Sequence, residues 1–226
     1  SHLPAGRGFD SSFGYLWAYN GYLHSESCQA CPEYPGKIAY TNTSQANMCT
    51  ATSVEMRHLS HVTDLWDTHG PAYGMNGSAF EELLFTNRVV KIIDEHDAAT
   101  PLFIYYAMHL LHSPLCVPPP YLDKFAFIED NEDRKYVAAM VNYLDDVVGR
   151  IEDSLRESNL WDTSVLVWSS DNGAAIKLGT GAKSSYPLKG GYTTNWEGGV
   201  RAPGWVNGGF LPAAARGTRV EGYIHL

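Results

Sequence analysis

Four side chains in this 226-residue sequence have types and settings suited to joint chemistry: His112, Asp171, Asn172 and Lys189. Asp171 and Asn172 form the stretch Ser169-Ser170-Asp171-Asn172-Gly173, directly after the apolar run Val165–Trp168. That run has turn signals on both sides and predicts a buried strand. Ligands in open α/β sheets collect beyond the carboxyl ends of strands, so the acid and the amide fall where a site belongs. Their oxygens are hard donors suited to a calcium or magnesium ion. An imidazole beside such an ion fits hydrolysis of an anionic ester: the metal neutralises ester oxygens, and the histidine protonates the leaving group. Taken alone, each feature has a plainer explanation. Asp-Asn-Gly forms turns for local reasons, and a lone histidine often serves structure.

The elements that must position these groups follow from periodicity. Ser78 and Glu81 form a capping box, which opens a helix over residues 79–95. Its apolar face is Leu83, Leu84, Val89, Val90, Ile92 and Ile93. The run Leu102–Ala107 then reads as a second buried strand, and helix, short loop and strand make half of a parallel α/β unit. The loop that follows carries His112 and the prolines at 118, 119 and 120, which forbid a regular ladder. A second helix spans residues 132–158, with a core stripe of Val137, Met140, Val141, Leu144, Val148, Ile151 and Leu155, and Asn159 ends it. Strand, loop, helix, strand brings the His112 loop and the Asp171 turn to one sheet edge. Residues 173–204 are glycine-rich, and such a segment beside a candidate site is more often functional than filler. Within the first 75 residues, Lys37–Thr41 reads as a short strand; a further strand is expected at Tyr223–Leu226.

Composition narrows the classes. The apolar share of 44% and aromatic share of 12% are those of a globular chain. Acidic residues outnumber basic ones, 25 to 16, for a formal charge of −9. Such a balance argues against nucleic acid as a partner, and an anionic substrate would depend on local positive charge or a bound cation. No run is long enough to span a membrane. The sequence starts Ser1-His2-Leu3-Pro4, as if taken from a longer polypeptide. Asn42 and Asn76 head glycosylation triplets, which matter in a secreted or lysosomal (endomembrane-lumen) protein. Cys28, Cys31 and Cys49 cluster; without a second pair or nearby histidines they are a poor zinc site, and a disulfide suits an oxidising compartment better.

The ordered motifs resemble the sulfatase family, in its arylsulfatase B (N-acetylgalactosamine-4-sulfatase) type. The residues that carry the likeness are Pro101-Leu102-Phe103 with His112-Ser113-Pro114-Leu115 and Val117-Pro118. To these add Trp168–Gly173, Pro187-Leu188-Lys189-Gly190-Gly191 and Trp196–Arg201. Arg7-Gly8-Phe9-Asp10 with Phe13-Gly14-Tyr15 is similar to the segment after the family's Gly-Lys-Trp-His-Leu-Gly motif. The likeness covers residues 5–205. It implies an alkaline-phosphatase-like α/β fold: a mixed, largely parallel sheet flanked by helices, incomplete because its N-terminal strands are missing. Residues 1–75 would form an irregular substrate-side region, 76–205 the α/β core with the site motifs, and 206–226 the start of the next strand region.

The same resemblance implies a calcium ion held by four acidic or amide side chains, and a formylglycine made from the cysteine of a Cys-x-Pro/Ala-x-Arg motif. In the family, the hydrated aldehyde attacks sulfur, the alcohol leaves, and the sulfated hydrate collapses back to the aldehyde. Carried over by position, Asp171 and Asn172 match two calcium ligands, and His112 matches the histidine that contacts sulfate and protonates the leaving oxygen. This sequence departs from the pattern in three ways. None of its four cysteines lies in the formylglycine motif, and the paired acids that complete the metal site, with the Lys and His of Gly-Lys-Trp-His, are missing too. Tyr192 stands where the family usually has a sulfate-binding lysine after the two glycines. A phenol donates a hydrogen bond but carries no positive charge near neutral pH; Lys189 or Lys183 is available to compensate.

Three functions remain open to the sequence. The leading one is a sulfuric ester hydrolase of the arylsulfatase type, acting on sulfated small molecules or glycans as the full-length protein, with this segment alone inactive. A second is a phosphatase or phosphodiesterase of the same superfamily, with a Thr or Ser nucleophile and zinc. A non-catalytic binder of sulfated glycans is the third, motivated by Tyr192.

Overall fold

The computed structural model describes residues 3–16, 65–73, 80–112, 115–176 and 182–220. Asn42, Asn76, Ser78, the Cys28–Cys31–Cys49 cluster, Ser113, Pro114 and the expected strands at Lys37–Thr41 and Tyr223–Leu226 lie outside the described residues. The chain divides into two compact units: Ser1–Ile92 with Ile104–Val147, and Ile93–Phe103 with Val148–Leu226.

In the first unit, β1 (Phe13–Tyr15), β2 (Leu65–Asp67) and β3 (Gly70–Pro71) form an antiparallel sheet in the order β1-β2-β3. Phe13 faces Asp67 and Tyr15 faces Leu65. Helix α1 spans Glu81–Asp94. Glu81 and Glu82 fall in the first turn and Lys91 in the last, the order that the helix dipole favours, although Asp94 ends the helix. The buried face runs through Glu82, Thr86, Val89 and Ile93, so the apolar stripe begins with two polar residues. Phe85 packs in T-shaped contacts with Phe13 and Tyr15, which ties β1 to α1. Arg88 adds an ion pair to Asp67 at 2.7 Å.

A short helix, α2 (Pro119–Asp123), begins among the three prolines, where a missing N–H costs nothing. Helix α3 spans Glu132–Glu157. Asn131 caps it: its Oδ1 accepts the Arg134 N–H at 2.9 Å. Its end is set by Asn159, in the left-handed region at φ 57°, while the Leu160 N–H reaches back to the Leu155 carbonyl at 2.8 Å. The buried stripe is rotated from the aliphatic one predicted. Tyr136, Ala139, Met140, Tyr143 and Val147 are buried, whereas Val141 is exposed. The tyrosines explain the rotation, since a ring buries more area than the valines beside it. Tyr143 makes T-shaped contacts with both Phe80 and Tyr121.

In the second unit, Leu155, Leu160 and Trp161 are buried, and the Arg156 guanidinium lies 4.1 Å from the Trp161 ring centroid. Strand β4 (Leu166–Ser169) pairs antiparallel with β5 (Gly204–Asn207), with Val167 opposite Val206 and Trp168 opposite Trp205.

Two expected strands differ from prediction. β4 is not buried: Val167 is 63% exposed and its partner Val206 54%. The apolar alternation is real, but nothing among the described residues covers that face. Residues 102–107 carry no strand pairing among the described residues, and Phe103 and Tyr105 are exposed. An apolar run specifies an extended segment only where a neighbour takes its backbone bonds.

Candidate functional site

The Asp171 turn is built by β4 and by the glycine-rich segment. Strand pairing ends at Ser169–Gly204, and one more bond, from the Ser170 N–H to the Pro203 carbonyl at 3.0 Å, carries the chain to the turn. Ser170 Oγ donates to the Asn172 carbonyl at 3.0 Å. The Gly173 N–H donates to the Gly199 carbonyl at 2.9 Å, and the Tyr192 N–H to the Ala174 carbonyl at 2.8 Å. The short helix α4 (Glu197–Val200) is seated by the Gly198 N–H on the Lys189 carbonyl at 2.8 Å, while Ser185 Oγ donates to the Gly198 carbonyl. The bonds that join the turn to the segment are backbone against backbone. A Cβ on Gly173 would strike the Gly198 carbonyl, and one on Gly198 would strike Gly190. Gly173 and Gly191 are therefore what lets the turn and the segment close on one another, while Gly190, Gly198 and Gly199 let the segment fold tightly on itself. Sequence reading had joined these two motifs, and the structure brings them together.

Asp171 is exposed and Asn172 half-buried, and neither side chain makes a hydrogen bond among the described residues. Lys183 is half-buried; burial pulls its pKa down, and the Asp171 charge opposes that shift. Lys189 lies with its Nζ 3.7 Å from the Trp196 ring centroid, a cation–π contact. Tyr192 is about half exposed. Two hard oxygen donors are thus available for a cation at the turn, although no group of three or more His, Cys, Asp or Glu residues gathers to hold one among the described residues. The residues present fit part of a calcium donor set.

His112 belongs to the first unit, in a turn that its own N–H closes on the His109 carbonyl at 2.9 Å. The rings of His109 and His112 stack with centroids 5.5 Å apart and planes at 28°. Beneath the turn lies a polar cluster that the sequence had not revealed. Glu81 and Glu82 are both completely buried. Glu81 was expected to serve the helix cap; instead its Oε1 accepts from His109 Nδ1 and its Oε2 from the Tyr15 hydroxyl, each at 2.6 Å. Glu82 Oε1 accepts the backbone N–H groups of His109 at 2.7 Å and Leu110 at 3.2 Å, and its Oε2 accepts the Tyr106 hydroxyl at 2.7 Å. Tyr106 in turn lies 3.3 Å from the Thr86 hydroxyl.

Burial pushes the Glu82 carboxyl above its usual value, partly offset by the Tyr106 hydrogen bond. It also drives the Tyr106 phenol upward, with the Glu82 charge adding to the shift. Burial alone would lower the His109 pKa, but the Glu81 hydrogen bond and the charges of Glu81 and Glu82 outweigh it and hold the pKa above the usual histidine value. One sequence signal did exist. Glu82 and Thr86 occupy the positions that Val89 and Ile93 continue at helical spacing, so two polar groups open a buried stripe.

A family model described as Sulfatase matches residues 3–225. Arylsulfatase J of Mus musculus is 30% identical over 224 residues, covering 99% of this chain and 32% of that protein. N-acetylgalactosamine-6-sulfatase of Homo sapiens is 27% identical over 128 residues, which is 56% of this chain and 23% of the relative. The chain thus spans about a third or less of the curated relatives it matches. Among solved structures, Ps i-CgsB superposes with a TM-score of 0.66 at 24% identity, over 91% of this chain and 40% of that one. The same protein in complex with k-i-k-neocarrahexaose gives a TM-score of 0.65 at 22% identity. These likenesses establish an alkaline-phosphatase-like α/β fold, present here as a partial sheet with helices.

Proposed function

The chain belongs to the sulfatase family, and from that premise we propose that it forms part of a sulfuric ester hydrolase of the arylsulfatase type. We assign sulfate esters of glycans as its substrate class. The observation that carries this reading is the closure of the Asp171-Asn172 turn onto the glycine-rich segment, through Gly173 to Gly199 and Tyr192 to Ala174. A turn of merely local origin would not need a glycine at 173 to admit the Gly198 carbonyl of another segment.

Asp171 and Asn172 are the proposed calcium ligands of this chain, and when bound the ion supplies positive charge to ester oxygens. His112 is the proposed general acid: its imidazole donates a proton to the leaving oxygen, sparing the alcohol from departing as an alkoxide. Lys189 and Tyr192 are the proposed substrate contacts, the lysine by charge and the phenol by its hydrogen bond. No cysteine here has the formylglycine context, so the nucleophile must be supplied by polypeptide outside these 226 residues. The relatives' greater length supports that division. Glycosylation at Asn42 and Asn76, and a secreted or lysosomal setting, belong to the same proposal.

The test is turnover of an aryl sulfate by the full-length protein and its Asp171→Ala variant. Equal rates would reject the metal role. A second reading, a sulfated-glycan binder without catalysis, draws support from Tyr192 and from the engagement of Lys189 with Trp196. A full-length protein that retains heparin-like chains and releases no sulfate would favour it.

A further inference from the structure

Two glutamates with no exposed surface are costly to bury, and they persist only where strong partners replace water. Here the partners are specific to one turn. Glu82 takes both amides at the head of that turn, His109 and Leu110, while Glu81 takes the ring of the first of these residues. Tyr15 and Tyr106 bind the outer oxygens of the pair, so neither carboxylate can swing away without losing a second bond. The locked imidazole then stacks against the ring of His112, whose backbone N–H closes the turn.

We propose that His109 is a positioning residue for His112: Glu81 fixes the His109 ring, Glu82 fixes its backbone, and the stacked ring sets the plane of the His112 imidazole. The proposal rests on reading His112 as the group that protonates the leaving oxygen. Proton donation depends on the ring's edge pointing at the acceptor, and stacking engages the face of the ring and not that edge. A stack of this kind therefore constrains orientation while leaving the donor chemistry to His112. Misplacement of a reacting group by about an ångström is enough to cost up to about 100-fold in rate.

The experiment uses the full-length protein and two sulfate esters. One has a nitrophenolate leaving group, which departs without a proton; the other has an alkyl leaving group, which needs one. His112→Ala should lose on the order of 100-fold in kcat on the alkyl ester and far less on the aryl ester. His109→Ala should show the same bias at roughly tenfold, in kcat with KM unchanged. His109→Gln, whose amide still donates to Glu81 and presents a flat face, should recover part of that loss, and it decides the matter if the alanine variant fails to fold. An unbiased His112→Ala would overturn the reading of His112 and this proposal with it. A biased His112→Ala beside His109 variants that lose equally on both esters, or lose nothing, would overturn the positioning role alone.

Discussion

Lys189 rests its ammonium on the ring of Trp196, 3.7 Å from the ring centroid, while its own carbonyl accepts the Gly198 N–H. The side chain proposed to meet an anion thus already has a partner inside its own segment. A preformed contact of this kind orients the charge before substrate arrives, so less side-chain freedom is lost on binding.

Replacing Lys189 by Met should therefore lower stability even without substrate, by about 0.5–1 kcal/mol, the usual size of an exposed cation–π contact. A urea titration of the substrate-free protein measures this. A lysine serving only the anion would leave the midpoint unmoved.

Tyr192→Lys would put a charge where only a phenol now stands. A hydrogen bond to a charged group contributes about 1.5–3 kcal/mol, so KM for an aryl sulfate should fall by roughly tenfold or more. Should KM stay put, residue 192 does not contact the oxyanion.

Gly198→Ala should be severe. Its Cβ would meet the Gly190 backbone and, at 2.8 Å, the Lys189 carbonyl, none of which is the yielding tip of a side chain. Overpacking of this sort costs about 1–3 kcal/mol, and here it also pries the segment from the Asp171 turn. Chemical denaturation and aryl-sulfate turnover should both register the change.

Stability should fall as pH rises. Folded His109 keeps its proton above the ordinary value of 6.5, so its contribution is complete below pH 6.5 and is lost as pH climbs through the raised pKa. The Glu82 shift has the same sign, beginning from its ordinary 4.5. Melting temperatures recorded from pH 5 to 8 should decline, and His109→Asn should flatten the part of the slope above pH 6.5.

The helices were legible because a 3.6-residue period survives any tertiary context: α1 and α3 fall within two residues of expectation, and Asn159 stops the longer one as read. Pairing was less legible. The run Val165–Trp168 announces a strand but is silent about its neighbour, which turned out to be the antiparallel Gly204–Asn207. The union of the Asp171 turn with the glycine-rich segment could be anticipated from glycines next to a candidate site. The Glu81–Glu82 cluster could not, because two acids at a helix start are the ordinary signature of an exposed, dipole-favoured first turn. Only their depth sets them apart, and depth depends on Tyr15, Tyr106 and His109, which are distant in the sequence.

Valine against valine, on a rung of the β4–β5 ribbon that none of the described residues covers, governs how such a polypeptide must be handled at the bench. A two-stranded ribbon with an oily side is poorly suited to water on its own. Purified alone and concentrated, this stretch will cling to plastic, dyes and other copies of itself before it dissolves as a well-behaved monomer.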